Sequence, residues 1–561
     1  MKQSSSITVI DVSLFSYAER VCVAAVQGLV NRTSPSIYLD YGIYDDPTAR
    51  RTNENFLDDD IWYSKYRDLL GNQDQRNLDY YQKKFNFTIS TVTTLEEIIS
   101  QHLDLFSGMV VWDENMPDTV NIALMLAAQQ NLLPVTVTLA ESLNKSGLVV
   151  KEDLRNRWNE RISLYQWAFE HLFDGSKPGF LACIEPGWLR TEFLDYIVQE
   201  RIFVYSLSST ARGLGSQLML LLSFGPPRLR EFLFNLALDK IIRKFALMWM
   251  GWKSAEVKLS NRIQSSVVSK KYPTIFGWHT QRDDELAFMF QLSSNGLRLV
   301  PSHLAGNFSF HAKLPSTGTK QKPHSNFQAL DPHGIYLTFT LSDGDQLMMM
   351  HTGELGNWYS SQRGRIAFNW ETQPLLAEIA PALMENYIST ATGNDCLIAG
   401  PSGAGYIVPP LAPKLDIYTK ESARVCEQVG IDVVTTYVAD PPGRISRILA
   451  DHKGELKGYL AGYAVVTRAP VQLIGDTPII ANKFPTVDQI WLPAEDLLEK
   501  VSEEISNQKT FPVFIGVHLF AYRNTYDDIV HFVDQLQNEH VYVVRGDEFL
   551  DLARQYLQGT K

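Results

Sequence analysis

A chain of 561 residues, 45% of them hydrophobic, is too long for one ordinary core and long enough for two to four domains. A net charge of −12 without any basic run argues against nucleic acid as a partner, because an acidic surface repels phosphate backbones. Four scattered cysteines, Cys22, Cys183, Cys396 and Cys426, form no CxxC and read as buried free thiols.

The first residues, "MKQSSSITVIDVSLFSY", hold no sustained apolar stretch and read as no signal peptide, which expects a cytoplasmic protein or a mature secreted form. "SYAERVCVAAVQGLVNR" has apolar residues at helical spacing, and "SPSIYLDY" reads as a strand. "GMVVWDENM" is a strand ending in carboxylates, "DTVNIALMLAAQQ" a helix with Asp118 as N-cap, and "LLPVTV" a strand. This rhythm predicts a small α/β domain over 1–145. A second α/β region with a linker follows over 146–325. Its most apolar stretch, "REFLFNLALDKIIRKFALMWM", carries Asp239, Lys240, Arg243 and Lys244, which suit an amphipathic helix and not a membrane span. No membrane partner is expected.

From Gly334 strands and helices alternate. The strands are "IYLTFTLSD", "RIAFNW", "DCLIAG", "IDVVTTYV", "GYLAGYAVV", "PIIAN", "FPVFIGVHLF" and "VYVVRG". Pro374 opens one intervening helix, "PLLAEIAPALMENYIST", which Pro381 is expected to bend. The fold class is therefore α/β: a C-terminal (β/α)7–8 barrel-like domain over 326–561, behind small α/β N-terminal domains.

Active sites of such barrels lie at the C-terminal strand ends, which sorts the candidates. The first strand ends at Ser342, Asp343, Gly344 and Asp345, and the second at Trp370 and Glu371. The third runs into "GPSGAGYIVPP", with Ser402, Gly403, Gly405 and Tyr406. The fourth ends near Thr436 and Tyr437, the sixth at Asn482, the seventh at His518 and the last at Arg545. Each has a plain structural alternative. "SDGD" is also an ordinary turn, Glu371 an N-cap, His518 a buried satisfied ring and Tyr406 core packing. Arg363 and Arg365 read as salt-bridge partners, and "MMMH" as core. Asp395 begins the third strand and should hold a turn at the opposite rim.

Two chemistries suit carboxylates gathered with a His, a Tyr and a Trp. Glycoside hydrolysis needs one carboxylic acid and one carboxylate; Asp343, Asp345 and Glu371 would supply them, with His518 orienting. Trp370 and Tyr406 would shape the sugar site, and Ser402, Gly403, Gly405, Tyr437, Asn482 and Arg545 would bind substrate. No cofactor is needed. Alternatively Asp343, Asp345 and His518 hold a divalent metal for deacetylation or ester hydrolysis, although no HxxxH or HExxH supplies a third ligand. Ser402 lacks the nucleophile-elbow sequence. A non-catalytic carbohydrate-binding protein is the third reading.

"GAGYIVP" resembles the signature of the GxGYxYP family of glycoside-hydrolase-like proteins. "FTLSDGDQ", "RGRIAFNWETQPLLAEIAP" and "ATGNDCLIAGPSGAGY" resemble its C-terminal domain in the same order. "VQGLVNR", "VVWDENMPDTVNIALMLA" and "GWHTQRDDELAFMFQLSSNG" resemble its N-terminal regions. The resemblance implies small α/β domains ahead of a barrel-like one, and an oligosaccharide or polysaccharide substrate. Two positions depart from the pattern: Val408 stands where the signature has its second Tyr, and Gln346 where an Asn is expected. The closing units "FIGVHLFAYRNTYDDIVHFVDQL" and "VYVVRGDEFLDLAR" also resemble polysaccharide-deacetylase-like barrels.

Overall fold

The structure, a computed structural model, describes residues 6–42, 71–187, 193–209, 254–278, 285–303, 305–323, 328–342, 344, 346–353, 356–436, 443–461, 471–484, 492–521, 524–536 and 540–559, with scattered helical residues between 218 and 249 and at 489. Most of the long amphipathic stretch, and Asp343, Asp345 and Tyr437, lie outside the described residues. Among the described residues, no helix is long and apolar enough to cross a membrane.

The N-terminal part builds three small parallel sheets. The first has β1 (Ser6–Asp11), β2 (Ile37–Asp40) and β3 (Thr88–Val92) in the order β2-β1-β3. The second has β4 (Gly108–Val111), β5 (Leu132–Val135) and β6 (Val150–Asp153) in the order β5-β4-β6. The third has β7 (Phe180–Cys183), β8 (Phe203–Tyr205), β9 (Thr274–Gly277) and β10 (Arg298–Pro301) in the order β10-β9-β7-β8. All their pairings are parallel; β4, β5, β8, β9 and β10 are buried throughout, whereas the edge strands β3 and β6 are mostly exposed or half-buried. The helix Thr119–Gln130 starts after Asp118 as the spacing predicts, but Asp118 does not cap it. Its carboxylate instead accepts a 2.9 Å bond from the Tyr165 hydroxyl.

The C-terminal part is one curled sheet. Its strands are β11 (Ile335–Ser342), β12 (Phe368–Thr372), β13 (Asp395–Ala399), β14 (Val433–Thr436), β15 (Gly458–Ala461), β16 (Val471–Ile474), β17 (Thr477–Ala481), β18 (Val513–Phe520) and β19 (Val541–Val543). They run in the order β16-β17-β15-β14-β13-β12-β11-β18, with β19 also on β11. Among the described residues only β16, in a hairpin with β17, is antiparallel. The sheet curls until its ends touch: Asn482, just past β17, bridges to Gly516 of β18, and the Lys483 amide donates 2.9 Å to the Gly516 carbonyl. β16, "VQLI", is not among the strands expected from the sequence.

Period-two alternation splits the barrel's strands between two cores. Tyr336, Ile398, Val433, Leu460 and Ile480 share a small core with Phe549, Leu550 and Leu552 of the last helix, Gly546–Gly559. That helix closes the N-terminal end of the strands, and its Gly546 amide donates 2.7 Å to Asn369 Oδ1. Leu337, Phe339, Leu341, Phe368, Trp370 and Leu397 point the other way, into the large core. The predicted helix after Pro374 is broken at Ala380 into Leu376–Ile379 and Pro381–Thr390, since Pro381 cannot donate its amide.

The third sheet is fastened to the barrel through β10. Tyr406 and Leu299 exchange backbone bonds of 2.6 and 2.9 Å, and the helix Gln346–His351 packs on β10. Arg298, 2% exposed, donates to Thr274 Oγ1 (2.8 Å), the Ala404 carbonyl (3.1 Å) and Glu421 Oε1 (3.2 Å). Removing one partner of a buried ion pair strands the other charge. Arg298→Met should cost about 3–5 kcal/mol, read as a lower urea midpoint. Arg298→Met/Glu421→Leu should lose less than the single variant, because it removes the buried carboxylate that would otherwise keep only the Tyr272 amide (2.6 Å) and Arg424 at 4.0 Å.

Candidate active site

The inward positions of β11 are Thr338, Thr340 and Ser342, and those of β12 are Asn369 and Glu371. Asn369 Nδ2 donates to Thr338 Oγ1 (2.8 Å) and Thr340 Oγ1 (3.3 Å). One step toward the C-terminal end, Ser342 Oγ donates to Glu371 Oε1 at 2.6 Å. From β14, Thr435 Oγ1 donates to the other carboxylate oxygen, Oε2. Glu371 is thus held between two hydroxyls at 2% exposure. Burial raises its pKa from 4.5 to about 7, against the two hydroxyl bonds that favour the charged form. A carboxyl of this kind keeps its proton near neutral pH and can deliver it.

His518 lies on β18 beside Thr340. Its ring hydrogen-bonds the Ser342 backbone, and burial pushes its pKa down from 6.5 to about 4, so it is neutral at physiological pH. A narrow cavity in the lumen is lined on its polar side by Thr338, Thr340, Thr435, Asn482 and His518. Asn482 Oδ1 accepts from the Phe484 amide at 3.3 Å, while its buried Nδ2 has no partner among the described residues. A donor buried without an acceptor is costly, and a substrate oxygen or a water in the cavity would relieve it.

The loop after β13 explains its own composition. Gly400 passes so close to the carboxyl that a Cβ there would lie 1.7 Å from Thr435 Oγ1 and 2.5 Å from Glu371 Oε2. Ser402 has φ 73°, its amide donates to the Thr435 carbonyl (2.9 Å), and its hydroxyl donates to the Ile407 carbonyl (2.6 Å). Ser402 therefore shapes the loop. Gly403 (φ 118°) abuts Ser422, and Gly405 (φ 94°) abuts the Arg298 stem, with its carbonyl taking the Tyr418 hydroxyl at 2.5 Å. The Tyr406 ring is 4% exposed within the large core. Val408 is buried there too, and its amide donates 2.9 Å to Ser293 Oγ. The loop's first residues form the floor beside Glu371, and its later ones bind the third sheet.

Other sequence candidates lie apart from this group. Trp370 is fully buried on the outer face, stacked on Tyr526, with its indole donating 2.8 Å to Asp395 Oδ1. Asp395 also accepts from the Thr392 amide (2.7 Å) and from Arg363, at the N-terminal rim. Arg545 is at that rim as well, paired with Asp547 at 2.9 Å and donating 3.0 Å to the Gly393 carbonyl. β19 pairs only with Ile335–Leu337, the first part of β11, so its C-terminal end stays low in the barrel. Arg365 pairs with Asp534 at 3.1 Å. Gln346, 1% exposed, opens its helix and accepts from Gln373 Nε2. Asp343 and Asp345 lie outside the described residues, directly after Ser342 in sequence, as does Tyr437 after Thr436. Of the residues a metal reading would use, only His518 is described, and no group of three His, Cys, Asp or Glu among the described residues is arranged to hold an ion.

Thr435 and Gly400 escaped the sequence reading. The signal was in "IDVVTT": Val433 in the lumen implies Thr435 in the lumen, two residues on.

Residues 333–554 match the family model described as "GxGYxYP putative glycoside hydrolase C-terminal domain", and residues 106–176 match "GxGYxYP_N second domain". No curated protein sequence matches at a significant level. The crystal structure of a putative hydrolase from Bacteroides thetaiotaomicron superposes with a TM-score of 0.75 at 17% identity, covering 99% of this chain and 96% of that one. At that identity the likeness shows a shared fold. A putative polysaccharide deacetylase from Mycobacterium smegmatis aligns with 42% of this chain and 96% of its own at 8% identity; its TM-score of 0.29 is too low to relate the folds.

Proposed function

Because the chain belongs to the GxGYxYP family, we propose that it is a carbohydrate-active hydrolase that cleaves glycosidic bonds at the C-terminal mouth of its curled sheet. The observation that carries this reading is Glu371: a buried carboxyl, clamped by Ser342 and Thr435, that holds a proton near neutral pH. Glycoside hydrolysis needs such a group to protonate the leaving oxygen. It also needs a second carboxylate, as nucleophile or as base for water. Asp343 and Asp345 are the assigned pool, since they follow Ser342 in the chain and Ser342 touches Glu371. His518, neutral and donating toward the Ser342 backbone, fixes the C-terminal end of β11, after which Asp343 and Asp345 follow in sequence. Asn482 Nδ2 would donate to a sugar oxygen.

Purified protein should release reducing ends from a member of a polysaccharide panel. At least one of Asp343→Asn and Asp345→Asn should lower that release by about 10²-fold or more. If both variants keep wild-type turnover, the two-carboxylate assignment is wrong.

A further inference from the structure

The lumen of the curled sheet changes character along its strands. Near the closing helix its side chains are apolar: Tyr336, Val433, Leu460, Ile480 and Phe514. Two residues on, the same stretches of chain turn Thr338, Thr435, Asn482 and Gly516 to the same side, and Thr340 and His518 follow. The narrow cavity lies in this second, polar layer, and its volume is about 20 Å³. A water molecule needs about 10–15 Å³ on that measure, so the cavity has room for one water and nothing larger.

The hydrogens of this layer run one way. The Gly546 amide donates 2.7 Å to Asn369 Oδ1, which turns Asn369 Nδ2 toward the threonines. That nitrogen donates to Thr338 Oγ1 (2.8 Å) and Thr340 Oγ1 (3.3 Å). Both hydroxyls are thus acceptors, and neither hydroxyl hydrogen has an acceptor among the described residues. Asn482 Nδ2, buried beside the same cavity, is a further donor in that condition. On β14, Thr435 Oγ1 gives its one hydrogen to Glu371 Oε2 and keeps its lone pairs. Unspent donors and an unspent acceptor around one water-sized space match a water molecule, which accepts two bonds and donates two.

Gly516 is an independent sign of such a site. Its φ is not among the positive ones, and a Cβ on it would meet nothing nearer than the Ala481 carbonyl oxygen at 3.9 Å and Asn482 Cα at 4.0 Å. Neither backbone conformation nor crowding demands glycine there. An alanine methyl would instead enter the cavity, on the luminal side of β18 between Phe514 and His518. We propose that the cavity binds one water molecule, which accepts from Thr340 and Asn482 and donates to Thr435 Oγ1, and that Thr340, Asn482 and Gly516 are through it positioning residues for Glu371. The chain of donors then runs from the Gly546 amide through Asn369, Thr340, the water and Thr435 to Glu371 Oε2. It stabilises the carboxylate that remains once the proton has been delivered. The second hydrogen of Asn482 Nδ2 stays available to a sugar oxygen. The part this plays in catalysis rests on the hydrolase reading; the water and its effect on Glu371 do not.

Gly516→Ala and Thr340→Val test this in the full chain, the first by filling the cavity and the second by removing one donor. A crystal structure of the wild type should show water density within hydrogen-bond distance of Thr340, Thr435 and Asn482, and Gly516→Ala should lose it. Each variant should also raise the pH at which Glu371 ionises by about half a unit or more, because the carboxylate loses support from the chain. The readout needs no substrate: it is the pH dependence of the gap in urea midpoint between each protein and the same protein carrying Glu371→Gln. A protein that is merely weakened loses the same amount at every pH and leaves that transition where it was. The alkaline limb of the activity profile should move upward with the transition. A transition that stays put in the variants that fold, or a wild-type cavity without water density, would overturn the proposal. A transition that moves up while Glu371→Gln still hydrolyses substrate would keep the water and take the acid role away from Glu371.

Discussion

Glu371→Gln should lower hydrolysis by about 10²–10⁴-fold, the usual contribution of a positioned general acid, and should not unfold the protein. The amide oxygen still accepts from Ser342. The amide nitrogen now faces Thr435 Oγ1, which can accept from it and turn its own hydrogen toward the Ala399 carbonyl, 3.4 Å away. A pH signature separates this from a structural loss. In the wild type the carboxyl must be protonated to act, so the alkaline limb of the activity profile should fall through about pH 7. Stability carries the same group with a defined sign. The folded pKa lies above the unfolded one, so the stabilising contribution is complete below pH about 4.3 and is lost as the pH rises through about 7. Relative to Glu371→Gln, the wild type should lose on the order of 3 kcal/mol across that window, seen as a pH-dependent gap between the two urea midpoints. The comparison with the variant is needed because His518, with its lowered pKa, works in the opposite direction over much of the same range. A flat gap would mean that Glu371 is ionised in the fold, and the proton-donor role would fall with it.

The kinds of element, and the end of the barrel to search, were legible from the chain. In β11 the apolar Leu337, Phe339 and Leu341 alternate with Thr338, Thr340 and Ser342, and β18 is apolar apart from Gly516 and His518, so both stand out as strands. What the sequence hid was which face each residue takes and how far each strand reaches. Trp370 and Glu371 are neighbours at one strand end, yet one faces the outer core and the other the lumen; the register that decides this pairs Asn369 with Thr340 and Trp370 with Leu341 of β11. Arg545 follows the last strand as predicted, but β19 is three residues long and pairs low on β11, which puts the guanidinium at the far rim. The demand for glycine in "GPSGAGY" was visible. Its cause was not, because the atoms that crowd Gly400 and Gly405 belong to Thr435, Glu371 and Arg298. Such contacts have no local signature: Arg298 is about a hundred residues away and its partner Glu421 lies beyond the loop on the other side.

Gly400→Ala should be the most damaging single methyl in the barrel. Its φ is not among the positive ones, so the backbone tolerates alanine and the effect is one of space. The added Cβ would meet Thr435 Oγ1 at 1.7 Å and Glu371 Oε2 at 2.5 Å, and neither can easily retreat. Thr435 is β-branched, with few χ1 choices on a strand, and Glu371 is tied to Ser342 on its other side. Overpacking of this kind costs about 1–3 kcal/mol or somewhat more, and here it also parts Thr435 from the carboxyl. Activity should therefore fall about as far as in Glu371→Gln, and the urea midpoint should drop. Adding Thr435→Ala removes the atom nearest the new methyl and should return part of the stability. It should not return activity, because the carboxyl still lacks its second hydroxyl and still has the methyl beside Oε2. Recovery of both together would mean that only bulk was at issue. If Gly400→Ala alone left turnover intact, Glu371 could shift by an ångström without consequence, and a proton donor positioned by Ser342 and Thr435 would no longer be tenable.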